Sequence, residues 1–348
     1  MQKTDLRSLN REEILEITRQ MKLPDYRAGQ LFDRLQGGAE SFDDITNISK
    51  DLRAQLSEKY MISTVKVRRR LESKIDGTVK YLYELYDGNT VESVFMVYKH
   101  GCSVCVSTQV GCRMGCKFCA SGQNGLVRNL LPGEILAQIW HASRDNGKRI
   151  SNVVLMGMGE PLDNFDGTVR FLQLVGYEKG LGIGMRHISV STSGLVDRIK
   201  KLEQLCFPVT LSVSLHAPND EIRNTIMPVN KKWGVDTLLE ACIGYAKRTG
   251  RRVSYEYALI KGVNDSDACA EELADRLKGS LCHINLIPVN NVKENSFTKP
   301  DRMRITAFKE LLEKKGITAT VRRTLGSDIN ASCGQLRSED MRERRERE

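Results

Sequence analysis

A chain of 348 residues, 40% of them hydrophobic, is long enough to bury one large domain and a small one. It has no apolar run near the ~18 to 20 residues a membrane helix needs, and its first residues, MQKTDLRSLNREEILE, put charges where a signal peptide is apolar, so a cytoplasmic protein with no membrane partner is expected. Ten cysteines are then reduced thiols or metal ligands rather than a disulfide scaffold, and a net charge of +9 suits an anionic partner, RNA foremost.

Three short helices are expected over residues 1–60. Residues 12–21 carry Ile14, Leu15, Ile17 and Met21 in a helical stripe, and 26–35 set Leu31 and Leu35 four apart. Pro24 separates the two, and 50–60 completes the unit. Such a unit suits a packing appendage as well as an RNA-docking module. From 63 to 97 the period changes to two. TVKVRRRLES, TVKYLYELYDG and TVESVFMVYK are strand segments broken by turns at Asp76-Gly77 and Asp87-Gly88-Asn89, giving a β-hairpin extension over 61–100.

Beyond Cys105, strand candidates at 152–157, 187–192, 209–216, 253–260, 283–289 and 318–322 alternate with helical stretches at 132–145, 195–205, 235–249, 268–277 and 303–314. This alternation argues for a parallel sheet with crossover helices. With the strand leading into Cys105 there are six or seven units, too few for a closed eight-unit barrel. The expected fold class is α/β: an open, partial β/α barrel over 101–337, preceded by a small N-terminal helical domain and the hairpin extension. The tail, 338–348, is charged and reads as a solvated end.

The stretch CVSTQVGCRMGCKFC, residues 105–119, carries the most specific chemistry. Cys112, Cys116 and Cys119 stand at C-x3-C-x2-C, with Phe118 before the last. Three thiolates on so short a loop hold three corners of a [4Fe-4S] cluster and leave the fourth iron open to a small molecule, whereas ordinary clusters take four cysteines. Zinc usually takes four ligands in two pairs. Cys102 and Cys105 also spell C-x2-C and imitate half a zinc knuckle, but no later paired ligands complete it. The run resembles the signature of radical S-adenosylmethionine (SAM) enzymes. In that superfamily the open iron binds the amino and carboxylate groups of SAM, and an electron from the cluster splits the sulfonium to give a 5′-deoxyadenosyl radical.

Functional residues of a parallel α/β fold gather at the C-terminal ends of strands. GMGEP, 157–161, offers glycines for close backbone approach and Glu160 as an acceptor for an ammonium group. Ser191 ends the next strand, Ser214-Leu215-His216 the one after it, and Asn290 follows HINLIPV. Alone, a serine or asparagine there is more often a helix cap, and a histidine a satisfied structural group. Four such sites at successive strand ends converge on one mouth. Cys105 ends its own strand. Cys333 stands in polar GSDINASCGQL, where a reactive thiol is expected, unlike Cys242, Cys269 and Cys282 in apolar runs.

With QVGCRMGCKFCA, GMGEPLDN, STSG, SLHAPND, IPVN and SDINASCGQLR in order, the chain over about 90–337, and more weakly its helical N-terminus, resembles the RlmN/Cfr family of radical SAM RNA methyltransferases. The resemblance implies methylation of an aromatic adenosine carbon in 23S rRNA. RlmN-like members modify C2 and also certain tRNAs; Cfr-like members modify C8 of the same ribosomal nucleotide. Adenine C2 lies between two ring nitrogens and is too electron-poor to attack a SAM methyl group, so radical addition is needed.

The resemblance further implies that one SAM methylates Cys333 and that the radical from a second abstracts a hydrogen from that methyl group. The thiomethylene radical then adds to adenine. Glu92, in TVESVFMVYK, accepts the ring proton, and Cys105 resolves the adduct, ending in a Cys105–Cys333 disulfide. By the same resemblance Gly159, Glu160, Ser191, Ser214, Leu215, His216 and Asn290 contact SAM. Cys112, Cys116 and Cys119 hold the cluster, and an electron donor such as flavodoxin or ferredoxin feeds a monomer. ASGQNGLVRNL departs from the commonest pattern, in which a threonine often follows the serine, and bears on regiochemistry; VRRTLGSDINASCGQLR and QVGCRMGC favour C2. The alternatives are Cfr-like C8 methylation, a non-catalytic iron–sulfur RNA-binding protein, and another radical SAM reaction that has no need of Cys333.

Overall fold

The protein was analysed as a computed structural model that describes residues 3–122, 125–289, 297–323, 325–329, 336, 337 and 340. Its chain begins with a helical layer. A short strand β1 (Thr4–Asp5) precedes α1 (Arg11–Gln20), α2 (Tyr26–Gln36) and α3 (Lys50–Lys59), and β2 (Tyr60–Met61) returns to pair with β1 in parallel. At the start of α1 the Asn10 side chain accepts from the Glu13 N–H and the Glu13 carboxylate accepts from the Asn10 N–H, so two otherwise orphaned donors are satisfied. All three helices fall within one or two residues of their expected spans.

The period-two segments form β3 (Lys66–Glu72), β4 (Val79–Glu84), β5 (Thr90–Tyr98) and β6 (Gly101–Cys105), each antiparallel to the next. A small antiparallel ribbon, β7 (Gln109–Gly111) with β8 (Leu126–Asn129), brackets the cysteine loop. The chain then alternates through α4 (Pro132–Asp145), β9 (Ile150–Leu155), α5 (Phe165–Val175), β10 (Ile188–Thr192), α6 (Val196–Gln204) and β11 (Thr210–Ser214). It continues with α7 (Asp220–Ile226), α8 (Val235–Thr249), β12 (Val253–Leu259), α9 (Asp267–Leu277), β13 (Cys282–Pro288), α10 (Arg302–Lys314) and β14 (Ala319–Val321).

One ten-stranded sheet results, in the order β14-β13-β12-β11-β10-β9-β6-β5-β4-β3. It is parallel from β14 to β6 and antiparallel from β6 to β3. The seven parallel strands match the expected open barrel. The hairpin strands widen the same sheet, joined to it along β6. Two helices, the β1–β2 pair and the ribbon were not expected from sequence. Helix α5 opens on Phe165-Asp166-Gly167, where Asp-Gly otherwise signals a turn, and α7 and the ribbon strands are too short to show a period.

Side chains alternate across a strand, so the sheet has two distinct faces. Tyr81 and Tyr83 of β4, Val91 and Phe95 of β5, and Cys102 and Val104 of β6 belong to the core shared with the helices. That core also takes in Leu6, Ile14, Leu31, Leu35 and Leu56 of the N-terminal layer, each fully buried aliphatic contributing about 1.5–3 kcal/mol. Arg7 is fully buried there and donates to Ser63 O (2.7 Å) and Ala39 O. Arg170 of α5 makes a two-pronged ion pair with Glu13. On the other face, Val94, Met96 and Cys105 form a separate cluster inside the barrel. Cys102 and Cys105 therefore serve opposite faces of one strand and do not make the C-x2-C half of a metal site.

Candidate active site

A cavity of about 380 Å³ opens at the C-terminal ends of the parallel strands. Cys105, Gly159, Glu160, Ser191, Ser214 and His216 line it, and so do Cys112, Cys116 and Cys119. Leu215 does not: its side chain is in the core, its N–H donates to Glu256 O and its C=O accepts from Arg223. Asn290 and Cys333 lie outside the described residues.

The cysteine loop is held by backbone contacts at both ends. Cys112 N–H donates to Gly125 O and Lys117 N–H to Ile226 O at the end of α7. Gly111 sits at φ +80°, where an added Cβ would lie 2.0 Å from Gly125 O. Burial pushes the Cys112 thiol up to about 12, with Glu160 and Cys119 adding to it, and pushes the Cys116 thiol up as well, with Cys119 and Cys112 adding to that. Cationic iron would offset the charge of these thiolates. Among the described residues, no group of three His, Cys, Asp or Glu side chains is placed to hold a metal ion. Three thiols around one shared cavity instead fit a cluster, which takes one thiolate per iron.

The loop after β9 is built around two close approaches. An added Cβ at Gly157 would lie 2.6 Å from Val106 O; at Gly159, already at φ +100°, it would lie 2.5 Å from Gln109 Cβ. Both glycines are thus required for backbone packing. The turn delivers Glu160, buried to 3% exposure, to the cavity wall. Its carboxyl accepts from Ser193 N–H (2.6 Å) and Leu162 N–H (3.0 Å). Burial pushes this carboxyl up, and the two N–H bonds oppose that shift.

His216 occupies the left-handed region at φ +58°. Its Nδ1 accepts from Ala258 N–H (2.8 Å), which leaves Nε2 to carry the ring proton. Burial, aided by the Arg223 charge, takes it down to about 3, so the ring is neutral. The Phe118 ring meets it edge-on, centroids 4.7 Å apart, linking the cysteine loop to the end of β11.

Three functional candidates escaped the sequence reading. Arg223, fully buried, donates to Leu215 O (2.9 Å), Ser193 O (2.7 Å), Ser214 O (3.0 Å) and Asn230 Oδ1 (2.8 Å), clamping the loops after β10 and β11. Burial lowers it to about 10, still cationic at neutral pH. Its only sequence sign was a charge beside Ile226 on the apolar side of α7. Glu256, on the cavity wall, accepts from Asn285 Nδ2 (2.7 Å) and Ser254 Oγ (3.2 Å), and burial pushes it up. A carboxylate inside VSYEYALI, a strand buried on both faces, was its signal. Lys80 is paired with Glu92 at 3.2 Å, each only 1% exposed.

Glu92 does not line the cavity but shares a face of β5 with Val94, which does. Val94 is the register partner of Cys105, and Glu92 lies two residues along the same face of β5. Its Oε1 accepts from Arg337 N–H (2.7 Å). Leu325 packs against the Val94–Met96–Cys105 cluster. Of the described residues near Cys333 in sequence, Leu325 therefore packs on the cluster that includes Cys105, and Arg337 donates to Glu92.

Comparison with known proteins adds the following. The family model described as "Radical SAM superfamily" matches residues 106–277, and that described as "Ribosomal RNA large subunit methyltransferase N-terminal domain" matches residues 4–62. The chain is 54% identical over 337 residues to the "Probable dual-specificity RNA methyltransferase RlmN" of Alkaliphilus oremlandii, covering 97% of this chain and 98% of that one. It is 49% identical to the protein of the same name from Clostridioides difficile, covering 95% and 97%. A crystal structure of a radical SAM methyltransferase from Sphaerobacter thermophilus superposes with a TM-score of 0.91 at 44% identity, over 95% of this chain and 98% of that one.

Proposed function

The chain belongs to the RlmN family of radical SAM RNA methyltransferases, with a [4Fe-4S] cluster and SAM as cofactors, and from that premise we propose that it methylates C2 of an adenosine in 23S rRNA and of adenosines in tRNA. When bound, the cluster and SAM supply a 5′-deoxyadenosyl radical. Cys112, Cys116 and Cys119 are the cluster ligands. Glu160 accepts from the SAM ammonium, and the backbone at Gly159 allows its approach. Ser191, Ser214 and the His216 Nε2–H supply further polar contacts, with Asn290 among them by family resemblance. Leu215 takes part only as the link that sets the backbone of its neighbours.

Cys333 carries the methyl group on sulfur; one of its C–H bonds breaks as the hydrogen goes to the 5′-deoxyadenosyl radical, the remaining methylene carbon bonds to adenine C2, and the adduct's unpaired electron would be lost to the bound cluster as the ring proton leaves. Glu92, held by Lys80 and Arg337 N–H, takes the ring proton. The Cys105 thiolate then attacks the Cys333 sulfur: the S–S bond forms as the S–C bond breaks, the electron pair of that bond stays on the RNA-linked carbon, and that carbon takes a proton to become the new methyl group. Glu92 and Cys105 lie on one sheet face, Cys105 in the wall of the cavity that the three loop cysteines border, and this juxtaposition carries the proposal. The division into a helical RNA-docking domain (1–60), a hairpin extension (61–100), a catalytic barrel (101–337) and a charged tail belongs to the same proposal. So do a flavodoxin or ferredoxin as electron donor, a monomeric state and a cytoplasmic setting. Among the described residues no helix is long and apolar enough to cross a membrane.

The order of the two thiols gives the test. Cys105→Ala should form the adduct and stall, yielding protein with covalently attached, nuclease-sensitive RNA, while Cys333→Ala and the double variant should carry none. Free turnover by Cys105→Ala, or cross-linked RNA on Cys333→Ala, would overturn these roles. Mass spectrometry of the modified adenosine decides between C2 and the Cfr-like C8 product.

A further inference from the structure

The wall of the cavity carries two cations that the chemistry above does not use. Arg322 and Arg323 line it and are exposed to solvent, so they stand where it opens. Consecutive residues of a strand point to opposite faces. Both arginines reach the cavity because β14 has ended at Val321, and Arg322 N–H donates to Leu286 O (2.8 Å). Among the described residues the lining holds two carboxyls, Glu160 and Glu256. Each is already engaged: Glu160 accepts from Ser193 N–H and Leu162 N–H, and Glu256 from Asn285 Nδ2 and Ser254 Oγ. Among the described residues neither the Arg322 nor the Arg323 side chain makes a hydrogen bond or an ion pair. An aromatic platform lies beside them. Tyr98, at the end of β5, also lines the cavity, and the exposed His100 ring stacks on it, centroids 5.2 Å apart and planes 18° from parallel. The Tyr98 hydroxyl donates to Met96 Sδ (3.6 Å), which steadies the ring. Burial pushes the Tyr98 phenol up and the Arg322 and Arg323 charges oppose that shift, so platform and cations share one stretch of the rim.

We propose that this rim holds the RNA strand: Arg322 and Arg323 bind the phosphates beside the target adenosine, and a neighbouring base stacks on His100. The inference rests on RNA as the substrate. An adenosine whose ring carbon is to react must leave its stack and enter the cavity base first, so its phosphates stay at the opening. There the protein wall displaces part of their water, and they need donors in exchange. A guanidinium is always charged and presents paired N–H groups that match phosphate oxygens. The base next to the extruded one loses a stacking partner, and a histidine or tyrosine ring replaces it without reading its identity. The carboxylate of SAM is the competing counter-anion. Two cations for one carboxylate would leave one of them unmatched, and both side chains are exposed to solvent rather than enclosed with the cofactor.

The test measures the affinity of full-length, iron-loaded protein for an unmethylated 23S rRNA fragment transcribed in vitro, from about 50 to 200 mM salt. Arg322→Gln/Arg323→Gln should weaken binding and make the log–log salt slope shallower by about 1.4 to 1.8, the share of two phosphate contacts. His100→Ala should weaken binding about tenfold with the slope unchanged, because a stacked base releases no counterions. Iron content and SAM affinity should stay at wild-type values in both. Should the double variant lose its iron, Arg323→Gln alone reads the same slope at half the size. Arg252→Gln removes an exposed cation at the opposite, N-terminal end of β12 and should leave the slope intact; an equal change there would reduce the effect to net charge and overturn the inference. Wild-type slope and affinity in the arginine variants would overturn it too, as would lost SAM affinity with RNA binding intact, which assigns the pair to the SAM carboxylate. Unchanged affinity in His100→Ala would remove the platform. Failure of the wild-type protein to bind or methylate the fragment would sink the reading of RNA as substrate, whereas a competent wild type matched by its rim variants would sink only the rim.

Discussion

His216 is held neutral with its ring proton on Nε2, and this has a pH signature. Its value falls from the ordinary 6.5 to about 3 on burial, so below about pH 6.5 the unfolded chain binds a proton that the folded chain refuses. Stability should fall with pH between those limits and be unaffected by His216 above them, with a slope approaching about 1.4 kcal/mol per pH unit. His216→Asn, which tolerates the left-handed backbone, should lose that part of the slope when thermal unfolding is followed from pH 8 to pH 5. Parallel curves for the two proteins would refute the assignment. The places of the cysteine loop, GMGEP, Ser191, Ser214 and His216 on one cavity were legible because the pattern is written in local spacing. Lys80 and Arg223 were not, because each is defined by partners brought close only by folding: Glu92 on the next strand, and carbonyls from two separate loops.

Helix α7 shows how a short element can fix a site. Its Arg223 satisfies the carbonyls of Ser193, Ser214 and Leu215 at once. Arg223→Met leaves them buried without a donor, at about 1–3 kcal/mol each. A drop in unfolding free energy of about 3 kcal/mol or more, with weaker SAM binding, is expected from denaturant titration and calorimetry of the variant. Wild-type values of both would show that the clamp is dispensable. Legibility at this scale followed length. Helices α4 and α8 coincide with the expected 132–145 and 235–249 because each carries several turns of amphipathic pattern and an N-terminal signal, Pro132 or Gly234. Seven-residue α7 offers barely two turns, and α5 hides behind a turn-like Asp-Gly.

The N-terminal helices share their apolar core with the barrel, and Glu13 is ion-paired with Arg170 of α5. Deleting residues 1–62 should therefore lower the thermal stability of the barrel and promote aggregation, beyond any effect on RNA affinity. An equally stable truncated protein with normal iron content would show that the layer is an independent unit. The class and order of the fold were legible from alternation alone. That the antiparallel strands join the parallel ones along β6 was not, because a period of two records which face of a strand is buried and says nothing about which edge it will meet.

That joining has a consequence for how the molecule meets its own copies. Among the described residues the ten-stranded sheet ends at β3 on one side and β14 on the other. Unpaired strand edges invite a neighbouring chain to extend the ladder. Here one edge is a strand of three residues, and the other reads Lys66-Val67-Arg68-Arg69-Arg70, largely exposed and cationic. Two such strands approaching edge to edge would have to displace long charged side chains, two of them held in ion pairs with Glu84, Asp340, Glu72 and Asp145, before a hydrogen bond formed. The lysine and arginines that contribute to the basic charge of the chain thus also guard its sheet against adding a strand from another copy.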